Sequence, residues 1–525
     1  LNGNSQFFAQ IGGGGAFPGT SGNIINSGAL ATLVANQNPG TTTFGGQIQG
    51  DINFVRLGGN TLTLEMAQTY TGATLLLAGT TSLENDATLL TTSSIDVNYA
   101  TLSLNNNSSL QTSNNNRIGD AIPIALRTGT IIYNGRLTTA ATETLGAMTL
   151  AQGANGLSSN IGGGSVNSAD LTIASLTRAP GTTLNFTGTN LGQQGNNARI
   201  WFTAPLTPIG SGIIGAWAIH NSTDYAAYNT ANGVGVVGNG GFTGYDATFG
   251  TGNLTEIPAI LTTNTTLSGN TVTGLLKIAG NARNNVLFTN NGDILRLEYG
   301  GILRSNNVFD TSIGTLTERG VLTAGGTVPA GMQELVIFNQ SVGNPTFTGG
   351  TINPLTNVVT VGSTVGLRVG MTLANANFPV GTVITSIDSI NQVTLSQVST
   401  NVAQATAQTF TGGSYVNGTT VLHSNVVTVN TTEGLATGMT LTGTGIPAGS
   451  YVVEIIDGTK VRLSQAATAN GTALAFTVGV SNMIINSVIA DNGLVNTVSL
   501  VKSGAGVLNL SANNTYTGGT VISQG

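Results

Sequence analysis

The feature that most constrains the fold of this 525-residue chain is a short motif that occurs near both of its ends. The motif is a Tyr-Thr-Gly triplet, with one copy at Tyr70, Thr71, Gly72 and the other, 446 residues later, at Tyr516, Thr517, Gly518. Each copy follows a glycine-bounded stretch with alternating leucines, at residues 55–64 and 501–510. A short strand that buries alternate residues, followed by turn residues at fixed places, is the pattern of one rung of a β-solenoid.

Between the two copies, apolar residues fall into pairs that lie two positions apart. Examples of such pairs are Leu62/Leu64, Leu102/Leu104, Leu171/Ile173 and Leu184/Phe186. Corresponding pairs recur after about twenty residues, which is the path length of a three-sided coil. The chain is therefore predicted to be an all-β protein that folds as a parallel β-solenoid.

The two motif copies resemble the autotransporter-associated β-strand repeat, which occurs in passenger domains of surface proteins of Gram-negative bacteria. That repeat reads roughly Gly-x-Gly-Thr-Leu-x-Leu, a short polar link and Thr-Tyr-x-Gly-x-Thr, and the second copy fits it better than the first. Blocks similar to those that accompany the repeat lie at 116–121, 213–218 and 486–493. The resemblance implies a right-handed parallel β-helix in a secreted surface protein, with an outer-membrane translocator barrel elsewhere in the parent chain. It implies no activity.

The sparse charge of the chain limits the partners that it can bind. Charged residues make up 7% of the sequence, against about 25% in an average globular protein. The 15 basic and 21 acidic residues are scattered, so there is no basic stripe for nucleic acid, which we exclude as a partner. The chain has no Cys, which excludes disulfides and thiolate metal sites. We predict neither a cofactor nor a metal site.

Composition and periodicity divide the chain into regions. Residues 1–40 are rich in Gly and Asn and are predicted to be an irregular lead-in. Residues 41–355 are predicted to be solenoid, with 196–260 as a wider layer of aromatic-rich loops or, alternatively, a carbohydrate-stacking platform. The pattern returns over 480–525, and we expect an open solenoid face at Gly525 that continues in a longer chain. One rod on the order of 90 to 100 Å long is expected.

A second duplication, with an offset of 68 residues, covers residues 356–410 and 425–479. Its matching positions include Gly370, Met371 and Pro379 in the first copy and Gly438, Met439 and Pro447 in the second. Each copy contains about five short strands between Gly or Pro turns, which is too much for one rung and suits a small β module. We therefore predict two tandem β modules inserted in one rung loop.

Few residues are suited to catalysis. His220 and His423 are the only imidazoles and lie in different regions, so no catalytic triad is predicted. Residues 233–238 match the glycine pattern of dinucleotide-binding proteins, but no helix pattern follows them. Because a pyrophosphate needs a helix N-terminus, the match does not predict a dinucleotide site. Glu84 and Asp86 would form a carboxylate pair on an extended strand, but a turn between rungs is the predicted setting.

Two classes of function fit these observations. The first is a structural or adhesive segment of a long secreted surface fibre, in which a solenoid spacer displays contact modules. Its expected partners are copies of itself, end to end or side by side, and surface glycans or other cells. The second is a β-helical carbohydrate-active enzyme, either a polysaccharide lyase or a hydrolase. The scarcity of charge favours the non-enzymatic fibre, because enzyme grooves concentrate acidic and basic groups.

Overall fold

All the regular secondary structure that can be described is β-strand. The computed structural model describes residues 1–13, 18–38, 40–108, 110, 114–163, 168–204, 206–210, 212–250, 257–279, 284–305, 311–326, 333–340, 346–352, 355–361, 371–374, 377–379, 382–389, 392–399, 404–429, 432, 441–448, 450–478, 483–493 and 496–524. Gly525 lies outside the described residues. Within these ranges, no helix is long and apolar enough to cross a membrane.

The first solenoid is built from the strands of the N-terminal part of the chain. Their bounds are β1 Gln6–Phe8, β2 Ile24–Asn36, β3 Thr42–Phe44, β4 Ile48–Leu57, β5 Thr61–Leu64, β6 Thr69–Tyr70, β7 Thr74–Leu76, β8 Gly79–Leu83, β9 Ile95–Asn98, β10 Ala100–Asn105, β11 Ile124–Arg127, β12 Thr130–Asn134, β13 Ala141–Gln152, β14 Ala154–Asn160, β15 Ala169–Arg178, β16 Thr183–Thr187, β17 Ala198–Phe202, β18 Ala218–His220, β19 Asp224–Asn229 and β20 Gly233–Val236. One parallel sheet runs β1-β2-β4-β7-β9-β11-β13-β15-β17 and the other runs β3-β5-β8-β10-β12-β14-β16-β18. Each full rung therefore contributes one strand to each sheet.

Strand β10 illustrates why these residues stack as rungs. Leu102 and Leu104 are buried, whereas Ser103 between them faces outward, as period-2 alternation requires. In the parallel register, Leu104 lies between Leu83 of β8 and Tyr133 of β12. Such columns bury the apolar side chains of successive rungs against each other. The predicted parallel β-solenoid is confirmed.

The stack of rungs begins earlier than the sequence indicates. Residues 1–40 are predicted to be an irregular lead-in, but β1 and β2 lie within them and pair in parallel with each other. Strand β2 also pairs with β4, and it buries Ala31, Leu33 and Ala35 on the core side. The predicted irregular lead-in is therefore corrected to regular rungs. The sequence pattern missed them because alternating alanines are a weak signal of a buried strand face.

The first solenoid ends in an antiparallel layer. Strand β18 is parallel to β16 but antiparallel to β19, which in turn is antiparallel to β20. Asn221 and Ser222 adopt positive φ angles of 47° and 58° at the turn that reverses the chain. A reversed strand leaves no template for a further parallel rung on that sheet. The single solenoid predicted over 41–355, with wider rungs at 196–260, is corrected to two solenoids.

The second solenoid is three-sided, and a separate group of strands lies within its sequence. Its first part contains β21 Ala259–Leu261, β22 Thr265–Leu267, β23 Asn270–Thr273, β24 Leu276–Ile278, β25 Val286–Phe288, β26 Ile294–Leu297, β27 Gly301–Arg304, β28 Thr311–Ile313, β29 Val321–Ala324 and β30 Gln333–Asn339. The separate group contains β31 Thr346–Ile352, β32 Val358–Thr360, β33 Met371–Ala374, β34 Ile384–Ser389, β35 Gln392–Leu395, β36 Gln404–Thr420, β37 Val426–Thr428, β38 Leu441–Gly443, β39 Val452–Asp457, β40 Lys460–Leu463 and β41 Gly471–Val478. The last part contains β42 Met483–Ile485, β43 Val488–Ile489, β44 Val498–Ser503, β45 Leu508–Leu510 and β46 Thr520–Ile522. The three sides are the sheets β21-β24-β27-β30-β44-β46, β22-β25-β28-β42-β45 and β23-β26-β29-β43.

Strands β31 to β41 form a sheet of their own between β30 and β42. Strand β28 pairs with β42 and β30 pairs with β44, so the rungs stack directly across the intervening residues. Within the separate sheet, antiparallel registers repeat with the offset of 68. Val359 pairs with Val393 between β32 and β35, as Val427 pairs with Val461 between β37 and β40.

Each half of this sheet has its own small core. The first consists of Val359, Val361, Phe378, Ile384, Val393 and Leu395, and the second of Val427, Val429, Leu441, Ile446, Val452, Val461 and Leu463. Every member of the first core has a counterpart 68 residues later in the second. The long strand β36 runs from one half into the other. The predicted module boundaries, 356–410 and 425–479, stay predictions.

The second solenoid lies beside the first and runs back along it. At the start of the second solenoid, Lys277 of β24 contacts Asp224, the first residue of β19 at the end of the first solenoid. Two rungs further on, Glu334 of β30 contacts Arg178, the last residue of β15 in an earlier rung of the first solenoid. Later rungs of one solenoid therefore meet earlier rungs of the other. The predicted single rod is corrected to two solenoids packed side by side in opposite directions.

Candidate functional site

A cleft of about 500 Å³ lies where the two solenoids meet. The residues that define this junction cleft are Pro180 and Trp217 from the first solenoid and Glu298, Tyr299, Gln333 and Glu334 from the second. Pro180 stands in the link between β15 and β16, and Trp217 directly precedes β18. Neither solenoid supplies this set of side chains alone, so the cleft depends on their side-by-side packing.

Arg178 and Glu334 form an ion pair that joins the two solenoids at this cleft. The Nη2 atom of Arg178 lies 2.6 Å from Oε2 of Glu334, and the amide of Gly181 donates a 2.5 Å hydrogen bond to Oε1. The guanidinium carbon lies 5.3 Å from the centroid of the Trp217 ring, a cation–π contact. Burial lowers the pKa of Arg178, and the charge of Glu334 counteracts this effect.

The second carboxylate of the cleft is also paired. Oε2 of Glu298 lies 3.3 Å from Nη2 of Arg296. The two carboxylates of the cleft are therefore each balanced by a guanidinium. With the amide of Gln333 and the ring of Trp217, the arrangement offers hydrogen-bonding groups and an aromatic surface to a ligand.

His220 belongs to a buried polar cluster at the same junction. The register of β18 and β19 places it opposite Asp224. That carboxylate binds Lys277 and accepts a 3.1 Å hydrogen bond from the hydroxyl of Tyr245. Nζ of Lys277 lies 5.1 Å from the centroid of the Tyr245 ring. Burial lowers the pKa of His220, with the charge of Asp224 acting against it. The cluster ties the two solenoids together through Lys277.

The two Tyr-Thr-Gly motifs have matching structures. The hydroxyl of Tyr70 lies 2.6 Å from Oγ1 of Thr74, and the hydroxyl of Tyr516 lies 2.6 Å from Oγ1 of Thr520. Burial raises the pKa of Tyr70. Each tyrosine thus closes the turn between two strands of its rung through a bond to the residue four positions later.

The threonine of each motif binds an aspartate of the preceding rung. Oγ1 of Thr71 donates a 3.3 Å hydrogen bond to Asp51, and Oγ1 of Thr517 donates one of 2.6 Å to Asp491. These contacts link one rung to the next. The predicted motif residues therefore serve the stacking of rungs.

The glycine of each motif lets the turn approach the strand of the preceding rung. A Cβ atom on Gly72 would lie 2.3 Å from the carbonyl oxygen of Ile52, and one on Gly518 would lie 2.3 Å from that of Val498. Real Cβ atoms do not come this close to a backbone oxygen. The glycine is therefore required by the rung spacing at both sites.

Arg56 and Lys502 occupy the same place in the two repeats, although neither belongs to the Tyr-Thr-Gly motif. Arg56 donates to the carbonyl oxygen of Ala78, and Lys502 donates to that of Gln524. Each also donates to the carbonyl oxygen two residues ahead of it. Burial lowers the pKa of Arg56 to about 10 and also lowers that of Lys502. The sequence offers one signal for this role: a basic residue recurs at matching positions of the two repeats in a chain that has few charges.

The proline turns shared by the two copies of the second duplication also have matching hydrogen bonds. The carbonyl oxygen of Pro379 accepts a 2.6 Å hydrogen bond from Oγ1 of Thr382, and that of Pro447 accepts one of 2.7 Å from Oγ of Ser450. Met371 begins β33. Gly370, Gly438 and Met439 lie outside the described residues.

The remaining candidates do not come together into a site. Glu84 accepts hydrogen bonds from Ser82 and Asn105, and Asp86 lies in the turn that follows, as predicted. Residues 233–236 of the glycine fingerprint form β20, with no helix after them. His423 stands in a turn between β36 and β37, far along the chain from His220. The described residues hold no cluster of three or more His, Cys, Asp or Glu side chains suited to a metal ion.

Comparison with known proteins gives one family. The passenger-associated-transport-repeat matches residues 54–83 and 500–525, which contain both Tyr-Thr-Gly motifs and the cations Arg56 and Lys502. Comparison with curated proteins and with solved structures gave no match. The resemblance predicted from the motifs is confirmed, and the repeat indicates a secreted or surface protein. The chain therefore carries two passenger-associated transport repeats, one in each of its parallel β-solenoids, as in the passenger domain of an autotransporter.

Proposed function

We propose that this chain is a structural and adhesive segment of a long secreted bacterial surface fibre. The paired solenoids act as the spacer, and the sheet formed by β31 to β41 acts as two inserted contact modules. Surface glycans and other cells are the partners that we assign to it. The outer-membrane translocator barrel that would anchor it belongs to another part of the parent protein.

The observation that carries this proposal is the strand pairing around the modules. Strand β30 pairs with β44 and β28 pairs with β42, as if the intervening residues were not there. In the preceding rung, only residues 305–310 link the end of β27 at Arg304 to the start of β28 at Thr311. The equivalent link in the next rung, from the end of β30 at Asn339 to the start of β42 at Met483, contains the whole separate sheet. Rung stacking does not need that sheet, and loops carried by a rigid scaffold are where contact functions concentrate.

A β-helical carbohydrate-active enzyme is the competing proposal, and the two carboxylates of the junction cleft are the observation in its favour. Glycoside hydrolysis uses one carboxylic acid and one carboxylate. Glu298 and Glu334 each face a guanidinium instead. This pairing supports binding over catalysis.

Deletion of the modules tests the proposal. Residues 340–482 are replaced by a copy of residues 305–310, which join the equivalent strands one rung earlier. We expect the shortened chain to keep its β-type circular dichroism and cooperative unfolding, and beads coated with it to lose attachment to cells. A control chain keeps residues 340–482 unchanged. Unfolding of the shortened chain, or undiminished attachment of its beads, would contradict the display of contact modules on an independent spacer.

A further inference from the structure

We propose that the junction cleft binds a neutral saccharide of one or two sugar units. The apolar face of a sugar ring would stack on Trp217, and its hydroxyl groups would bind Glu298, Gln333 and Glu334. This inference rests on the proposed adhesive function and names a ligand class for it, at a site separate from the modules.

The shape and position of the cleft fit a small ligand. Its volume of about 500 Å³ falls within the range of about 300 to 1,000 Å³ that is typical of ligand pockets. Such pockets form preferentially at the interfaces between structural units. Here the first solenoid supplies the aromatic residue Trp217, and the second supplies the polar residues.

The aromatic side of the cleft provides a stacking surface. Trp217 is half-buried and lines the cleft, with Arg178 over its ring at 5.3 Å. The part of the indole that remains exposed faces the cleft and is the surface on which we place the sugar ring. Tyr299, also half-buried, adds a second ring to the lining. Amphipathic rings of this kind suit a ligand that has an apolar face and polar groups at its edges.

The charges of the cleft specify a neutral ligand. Arg178 balances Glu334 at 2.6 Å, and Arg296 balances Glu298 at 3.3 Å. A cationic or anionic ligand would have to compete with these ion pairs. Sugar hydroxyls need only donate to the remaining lone pairs of the carboxylates, since each carboxylate offers about four acceptor positions.

Tryptophan fluorescence can test this proposal, because Trp201 and Trp217 are the only tryptophans in the chain. In a Trp201→Phe background Trp217 is the sole reporter. The probes are glucose, galactose, N-acetylglucosamine, maltose, cellobiose and lactose, titrated separately. We expect a saturable change in emission with at least one of them, confirmed by calorimetry on the unmodified chain. A panel without any saturable response would overturn the proposal.

Two variants localise the binding. Glu298→Gln keeps the shape of the side chain and removes charged acceptors, so we expect at least a tenfold loss of affinity for the responding sugar. The matched control is Glu454→Gln, which breaks a comparable pair with Arg462 on the separate sheet, at 2.8 Å, and should leave affinity unchanged. Equal losses in both variants would refute the site.

The module deletion separates this inference from the proposed function. The shortened chain retains the junction cleft, so it should still bind the responding sugar while cell attachment is lost. Loss of sugar binding in that chain, with folding intact, would refute the cleft as the site. Retained cell attachment in that chain would instead refute the role of the modules, and sugar binding in the cleft would stand unaffected.

Discussion

The ammonium nitrogen of Lys502 lies 2.8 Å from the carbonyl oxygen of Gln524, and this bond ties one rung of the second solenoid to the next. In the first solenoid Arg56 binds the carbonyl oxygen of Ala78 in the same way. Lys502 and Arg56 are both buried. The repeat therefore uses a buried cation to satisfy carbonyl oxygens at the end of a strand, where no further strand residue can donate to them.

Replacing Arg56 by Met is expected to lower the free energy of unfolding by about 2 kcal/mol, because the partly buried carbonyl oxygens of Gly58 and Ala78 lose their donor. Urea unfolding followed by circular dichroism measures this loss. Arg127→Met is the control, since Arg127 pairs with Asp96 at a partly exposed site and such pairs contribute less than about 1 kcal/mol. Equal destabilisation by the two substitutions would contradict the role of Arg56.

Gly72→Ala is expected to destabilise the first solenoid by about 1 to 3 kcal/mol, because the added Cβ atom would overpack against the carbonyl oxygen of Ile52. Gly518→Ala meets the same obstacle at Val498. The control is Gly59→Ala, whose Cβ atom would have no neighbour within 4 Å. Thermal unfolding compares the variants, and an unchanged midpoint for Gly72→Ala would show that the rung spacing adapts to a side chain.

Glu143 is expected to make stability depend on pH. It is buried on β13 and accepts hydrogen bonds of 3.0 Å and 2.9 Å from the amides of Arg117 and Ile118. Burial raises its pKa from an ordinary value of 4.5 to about 7. A pKa that is raised on folding contributes stability that is complete below about pH 4.5 and is lost as the pH rises through about 7.

The measurement is the free energy of unfolding of the native chain and of Glu143→Gln, between about pH 4 and pH 8. The native chain should lose on the order of 2 to 3 kcal/mol relative to the variant over this range. Parallel pH profiles for the two chains would disprove the contribution of Glu143.

Breaking the ion pair between Arg178 and Glu334 is expected to loosen the packing of the two solenoids. Glu334→Gln leaves a largely buried guanidinium without its counter-ion, at a cost of about 3 kcal/mol at the junction. Small-angle X-ray scattering should report a larger maximum dimension as the solenoids separate. Asp170→Asn, which breaks a similar pair with Arg199 inside the first solenoid, is the control. A scattering profile that stays unchanged in Glu334→Gln would mean that the pair does not hold the junction.

The rungs could be predicted because their cause is local. The alternation of Leu102 and Leu104 marks the buried face of β10 without reference to any other part of the chain. The offset of 68 likewise predicted that the two halves of the separate sheet would be built alike, and their registers match. Local signals fail where they are weak, as at Ala31 and Ala35 of β2, and they did not indicate the antiparallel layer of β18 to β20.

The arrangement of the two solenoids had no comparable signal in the sequence. Arg178 and Glu334 meet across the junction although they are distant in the chain, and neither belongs to a periodic pattern or to a repeat. The sequence predicts Trp217 in an aromatic loop layer and does not indicate that Glu298 or Glu334 lies beside it. Periodicity reports which face of a strand is buried, because that depends on immediate neighbours in the chain. How the two solenoids pack depends on side chains that are distant in the sequence and come into contact only in the folded protein. The junction cleft results from that packing.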